Sequence, residues 1–231
     1  MRRYDFTFND IRAWDKGVAV TERPSIPAPK KRGEYIEVAG RDGALLVTDG
    51  TYEPIEFEIM MNYVRRPESV ISSFREIKSW LTGSGKLTFA DDTDVFYKVK
   101  NIEISDFQRR TKFGADLVAT VVADPFTYYH SGTQEFNASD VEFNPYHKCC
   151  PTYKISANGQ ISLNVNGNIL TANVGGSCII DTEKCLAYRG QALINTETQG
   201  ANYEDLRLNS GPNTITISGG TMKVVPNWRS L

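Results

Sequence analysis

Several short stretches of this chain hold residues whose types could do chemistry. Gly83-Ser84-Gly85-Lys86-Leu87-Thr88 places glycines ahead of a lysine, the ingredients of a loop that cradles phosphate. Such a loop needs a further glycine where Trp80 stands. It must also follow a strand and open a helix, so that the helix N-terminal N–H groups meet the anion. Here the pattern closes a helix and enters a strand, which predicts a helix stop and a turn. His147, Cys149, Cys150, Cys178 and Cys185 contain no Cys-x-x-Cys pair, and neighbouring cysteines fit poorly into one tetrahedral zinc site. They read as free thiols, too sparse for a disulfide scaffold, in a protein assembled in a reducing compartment.

Glu197, Glu204 and Asp205 share the loop-rich "NTETQGANYEDLRLNSG". Two carboxylates can hydrolyse a glycoside, but acids in surface loops need no such role. Tyr203 and Trp228 could stack on a sugar, so a saccharide-binding module is the alternative to a structural role; Trp228, close to Pro226 near the chain end, could instead simply anchor the terminus. His130 and His147 sit near the middle of the chain, and no segment suggests a Ser-His-Asp arrangement. "VGGSCII" resembles a Gly-x-Ser-x-Gly elbow only loosely. The residues therefore predict no catalytic centre, no cofactor and no metal site.

"VAGRDGALL", residues 38–46, places Arg41 and Asp42 between two glycines. The runs on either side read as strands and no helix follows, so this is a bend and not an anion cradle.

The elements around these stretches are mostly strands. "IEFEIMM" puts Ile55, Phe57, Ile59 and Met61 on one face and Glu56 and Glu58 on the other, the period of a half-buried strand. One helix is predicted over about 67–82. Pro67 and Glu68 suit its first turn, Val70, Phe74, Ile77 and Leu81 recur at helical spacing, Ile71 and Trp80 widen that face, and Gly83 stops it. "RPSIPAPKKRGEY" breaks the strands with prolines and predicts a loop or extended arm. Its Lys30-Lys31-Arg32 run is a solvated face or a contact to an acidic partner or DNA. After about residue 130 charge thins out and Asn, Gly, Thr and Ser take over. Asn166-Gly167 between alternating runs is a strong hairpin signal. Short strands with tight turns there predict a β-sandwich or jelly roll.

A net charge of −2 argues against a protein that lives on nucleic acid or on an anionic membrane. The best apolar run, "FEIMMNYV", is far too short to span a bilayer, and "MRRYDFTFND" lacks the apolar region of a secretory signal.

Taken in order, "FTFNDIRAWDKGVAV", the proline-bearing arm, "VAGRDGALLVTDGTYEPIEFEI", "IKSWLTGSGKLTFADDTDVFY", "ADPFTYY", "ISLNVNGNI", "CIIDTEKCLAY" and the closing "LNSGPNTITISGGTMKVVPNWRSL" resemble one family: the distal tail proteins, often called Dit, of phages with long non-contractile tails. The resemblance implies a mainly β chain. An N-terminal ring-forming β-sandwich with one flanking helix would cover 1–132, and a galectin-like β-sandwich 133–231. It further implies a structural role without enzymatic activity. Six copies close into a ring, or two rings stack back to back, at the virion tail tip after assembly in the host cytoplasm. The ring joins the tail tube to a tail-associated lysin or fibre protein and to a receptor-binding protein. DNA passes through the channel, and no membrane anchor is involved. Arg41, Asp42, Lys30, Lys31 and Arg32 are the expected protomer-contact or channel residues.

Overall fold

The structure, a computed structural model, describes residues 4–64 and 70–231. The chain divides into two compact units. One holds the residues up to Thr127 together with Leu231, and the other runs from Tyr128 to Ser230. The sequence placed this boundary at 132.

In the first unit, β1 (Phe6–Phe8), β2 (Ile11–Arg12) and β3 (Val18–Val20) precede an isolated pair, β4 (Lys31–Ile36) and β5 (Leu45–Tyr52). Then follow β6 (Ile55–Tyr63), α1 (Val70–Trp80), β7 (Gly83–Phe89), β8 (Asp92–Thr111) and β9 (Gly114–Tyr129). The main sheet runs in the order β2-β1-β7-β8-β9-β6-β3. β6 alternates as its sequence requires: Ile55, Phe57, Ile59, Met61 and Tyr63 are buried, while Glu56, Glu58 and Met60 face out. Helix α1 lays Val70, Ile77 and Leu81 into the same core. Trp80 stacks on Phe6 at 5.8 Å, and its indole N–H donates to the Phe8 carbonyl at 3.1 Å.

The helix differs from expectation in two respects. Ile71 is exposed, and the buried position beside it belongs to Ser73, whose hydroxyl meets the Tyr63 hydroxyl at 2.8 Å. A polar side chain enters this face because Tyr63 brings it a partner. The expected first-turn residues Pro67 and Glu68 lie outside the described residues. The helix ends at Trp80, before the expected stop, and Gly83, with φ of 89°, a conformation that side chains resist, is the first residue of β7. "DFQRRTKFG" was expected to be a turn, but most of it continues β8, and only Lys112 and Phe113 separate β8 from β9.

The second unit is built on one long hairpin. β11 (Thr152–Val165) pairs with β12 (Asn168–Asp181) along its whole length. They meet at Asn166 and Gly167, both at positive φ, the conformation of a type I′ turn that fits strand twist. The two halves of the hairpin then recruit different neighbours. β11 takes β17 (Ile215–Ser218) along Ser162–Val165 and β18 (Thr221–Val225) along Thr152–Ser156. β12 takes β15 (Thr198–Gly200) near its start and β13 (Leu186–Arg189) near its end. Side chains from both halves, Tyr153 and Ile155 with Leu163 and Val165, belong to one core. The hairpin thus supplies both layers of a sandwich. Its middle carries Gly159 at φ 115° and Gly176 at φ 96°, where bending costs least. Two further short strands, β10 (Phe143–Asn144) and β16 (Gly211–Pro212), pair with each other, and β14 (Ala192–Leu193) extends β13.

Candidate functional site: an exposed hairpin arm

The pair β4–β5 stands apart from the main sheet, and residues 31–51 are exposed. Its register sets Glu34 opposite Val47, Tyr35 opposite Leu46 and Ile36 opposite Leu45. Directly opposed residues share a face and adjacent ones alternate. One face therefore carries Tyr35 and Leu46, and the other carries Ile36, Leu45 and Val47. Both faces of the ribbon are apolar, and these five side chains remain between 41% and 75% exposed.

The arm is well formed locally. The ladder breaks its register between Lys31 and Gly33, and a Cβ at Gly33 would meet the Val47 carbonyl oxygen at 2.7 Å, so only glycine fits. On the facing strand Asp49 accepts from both the N–H and the hydroxyl of Thr51, at 2.8 and 2.6 Å. The Thr51 hydroxyl chiefly, then its N–H, holds the Asp49 carboxyl below the usual carboxylate range. At the base the Glu53 N–H donates to the Lys30 carbonyl at 2.8 Å. At the tip Gly40 and Gly43 adopt φ of 83° and 77°, and the Arg41 N–H donates to the Val38 carbonyl at 3.1 Å.

The structure gathers Lys30, Lys31, Arg32, Arg41 and Asp42 on this one arm, the first three at its base and the last two at its tip, all exposed. Sequence reasoning missed the apolar side chains between them. "EYIEVA" and "ALLVT" read as ordinary half-buried strands. The available signal was that apolar residues occupy both parities, as in Tyr35-Ile36 and Leu45-Leu46-Val47, which a strand with one buried face does not require.

The other candidates separate. Tyr203, Glu204 and Asp205 line an open depression of about 440 Å³ together with Asn202 and Gln199. The Tyr203 hydroxyl is engaged by Thr198 at 2.9 Å. Trp228 does not line that depression. It is 8% exposed, belongs to the core of the second unit, and lies 6.1 Å from the Tyr146 ring. The expectation that it offers an exposed face to a sugar is corrected: the ring is spent on packing. Glu197 pairs with Arg189 at 3.1 Å, away from Glu204 and Asp205.

Cys149, Cys150 and Cys178 are buried and Cys185 partly so, all four as free thiols. Burial pushes the Cys149 thiol up to about 12, the reverse of what a nucleophile or metal ligand needs. Among the described residues no group of three or more His, Cys, Asp or Glu is placed to hold a metal ion. The glycines of the phosphate-loop lookalike lie in β7. There the Asn9 amide fills the space a Cβ at Gly85 would take, and its oxygen accepts from the Lys86 N–H at 3.0 Å. The glycine serves that contact and no phosphate.

The described residues thus define a two-unit β protein whose most distinctive surface is an apolar arm. No family model matches the sequence, and no curated protein matches it. Among solved structures it is similar to the SPP1 Dit (gp 19.1) protein, whose crystal structure is described as a paradigm of the hub adsorption apparatus in phages that infect Gram-positive bacteria. Identity is 13%, the TM-score is 0.67, and the match covers 96% of this chain and 98% of that one. The chain has that protein's mainly β fold, across both units.

Proposed function

We propose that this chain is a structural subunit of a phage or prophage tail tip. Six copies close into a ring that joins the tail tube to a tail-associated lysin or fibre protein and a receptor-binding protein, and DNA passes through the ring. It performs no catalysis. The observation that carries this reading is the likeness in fold to the SPP1 Dit hub protein across nearly the whole chain.

The arm supports it independently. A two-stranded ribbon is marginal in water on its own, and a contiguous apolar surface of this kind marks a protein contact. A ring subunit needs such a feature. Head-to-tail contacts use two different patches on each copy, and they close when the rotation is right. Lys30, Lys31 and Arg32 at the arm's base and Arg41 and Asp42 at its tip then lie at or beside the protomer contact. The near-neutral net charge suits a conduit, since a strongly basic lumen would hold the genome instead of releasing it.

Electron microscopy and light scattering of the purified chain test the reading. The expected result is a hexamer, or two hexamers back to back, with a central hole. A uniform monomer at micromolar concentration overturns it.

A further inference from the structure

The first unit has a groove of about 650 Å³ that neither the fold nor the arm accounts for. Tyr4, Trp14 and Phe89 give it an aromatic lining, and Arg12, Arg23 and Asp91 lie around them. Tyr4 and Phe89 stack at 6.0 Å, and Arg23 sits over the Tyr4 ring at 5.1 Å while reaching Asp91 at 3.8 Å. Trp14 remains 46% exposed. The end of the turn before β8 and the first residues of that strand, Asp91-Asp92-Thr93-Asp94, are exposed throughout.

Directly after Arg23 the chain runs Pro24-Ser25-Ile26-Pro27-Ala28-Pro29, followed by Lys30-Lys31-Arg32. Pro24–Lys30 belong to no helix or strand, Lys31 and Arg32 open β4, and every residue from Pro24 to Arg32 is exposed or half-exposed. The ends of the stretch are tied down. The Thr21 N–H donates to the Met60 carbonyl at 3.0 Å, and the Lys30 carbonyl accepts from Glu53. Prolines at this density favour the polyproline II conformation, which rises about 3.1 Å per residue and loses little entropy on binding. Such segments dock into aromatic-lined grooves, ring against ring.

We infer that the Pro24–Pro29 segment of one copy lies in the Tyr4–Trp14–Phe89 groove of the next, with Lys30-Lys31-Arg32 against Asp91–Asp94. This rests on the proposed ring and supplies its second patch. Arg23, the residue before the segment, lines the wall, and none of Pro24–Pro29 lines the groove of its own chain. The charges complement: three cations follow the prolines, Asp91 lines the groove, and Asp92 and Asp94 follow it as exposed residues. A head-to-tail contact needs two such unlike surfaces on every copy.

The test is a dilution series of the full chain followed by light scattering. Trp14→Ala and Pro27→Gly are each expected to raise the half-assembly concentration at least tenfold, with unchanged circular dichroism. Asp92→Lys with Asp94→Lys is expected to do the same, and adding Lys30→Asp with Lys31→Asp is expected to restore part of the loss. If the wild type forms rings and Trp14→Ala and Pro27→Gly form them equally well, the groove assignment fails while the ring reading stands. If the wild type is monomeric the ring reading fails, and a synthetic peptide covering Pro24 to Arg32 decides the groove. A saturable NMR shift of the Trp14 indole that depends on Pro27 keeps the site, and no shift at millimolar peptide removes it.

Discussion

Two hairpins in this chain are written in nearly the same local code and meet opposite fates. β11–β12 and β4–β5 are both antiparallel ribbons rich in β-branched and aliphatic residues, each closed by glycine-bearing turns. In β11–β12 most apolar residues keep to alternate positions, with Ile169 and Ile179 of β12 the exceptions, and Ile161, Leu163, Val165, Leu170 and Val174 are all at or below 1% exposure. In β4–β5 they occupy both faces, and none is buried. The first hairpin finds its partners within the chain, in β13, β15, β17 and β18. Among the described residues the second pairs with no third strand, and Tyr52 at the end of β5 meets Phe126 edge-on at 5.7 Å. A ribbon apolar on both faces needs cover on both faces, and the five apolar side chains Tyr35, Ile36, Leu45, Leu46 and Val47 remain exposed.

The sharpest way to test that contrast is to remove the same chemistry from each. Leu163→Ala empties a fully buried site in β11 and is expected to cost about 3 kcal/mol of unfolding free energy, within the usual range for such truncations. Urea denaturation followed by circular dichroism checks it. A loss under about 1 kcal/mol would mean that the hairpin core is far looser than its burial indicates.

Tyr153 adds a polar anchor to the same hairpin. It is fully buried, and its hydroxyl donates to the Leu206 carbonyl at 2.7 Å. Tyr153→Phe leaves that carbonyl without the bond, at an expected cost of about 2 kcal/mol. A neutral outcome would show that water reaches the site.

Most of this was legible in the sequence, for a physical reason. The alternation in β6, the helical spacing of Val70, Ile77 and Leu81, and the Asn166-Gly167 turn are local codes, and the structure has all three. Strand length was not legible. The second unit was expected to hold short strands, yet β11 and β12 pair over fourteen residues each, through Asn158-Gly159 and Gly175-Gly176, and only long-range pairing decides that. Trp228 was open for the same cause: its sequence fits a sugar-facing ring or an anchor of the chain end, and only Gly132 and Tyr146 closing on it decide for the anchor. The arm's basic and tip residues were singled out, but its apolar faces were taken for core strands. Burial is a property of the partner as much as of the strand.

A pH titration extends the contrast to the buried thiols. Cys149 is raised from an ordinary 9.0 to about 12 by burial, so between those values the unfolded chain loses a proton that the folded chain keeps. The sign follows: stability is unaffected by this group below about pH 9 and falls as pH rises above it, by up to about 1.4 kcal/mol per pH unit. Tyr153 is displaced in the same direction, again by burial, and adds to the slope. Cys149→Ala is expected to lower stability near neutral pH but to flatten the decline above pH 9 by about one proton. An unchanged slope would show that the thiol reaches solvent in the folded state.

The smallest expected effect on unfolding is the most informative about the arm. Leu46→Ala removes an aliphatic side chain from a strand just as Leu163→Ala does, but Leu46 is already 45% exposed. With little apolar area to lose inside the chain, its unfolding free energy is expected to change by no more than about 0.5 kcal/mol. Tyr35→Ala, opposite it on the same face, behaves alike. The loss surfaces in assembly instead: a side chain idle in the monomer and buried between copies carries its transfer free energy in the association step, about 25 cal/mol for each Å² covered. Ring dissociation at lower dilution with an unmoved unfolding curve is the expected pair of results. A variant that unfolds more easily while assembling as before would place the arm's cover inside its own chain and remove the difference between the two hairpins.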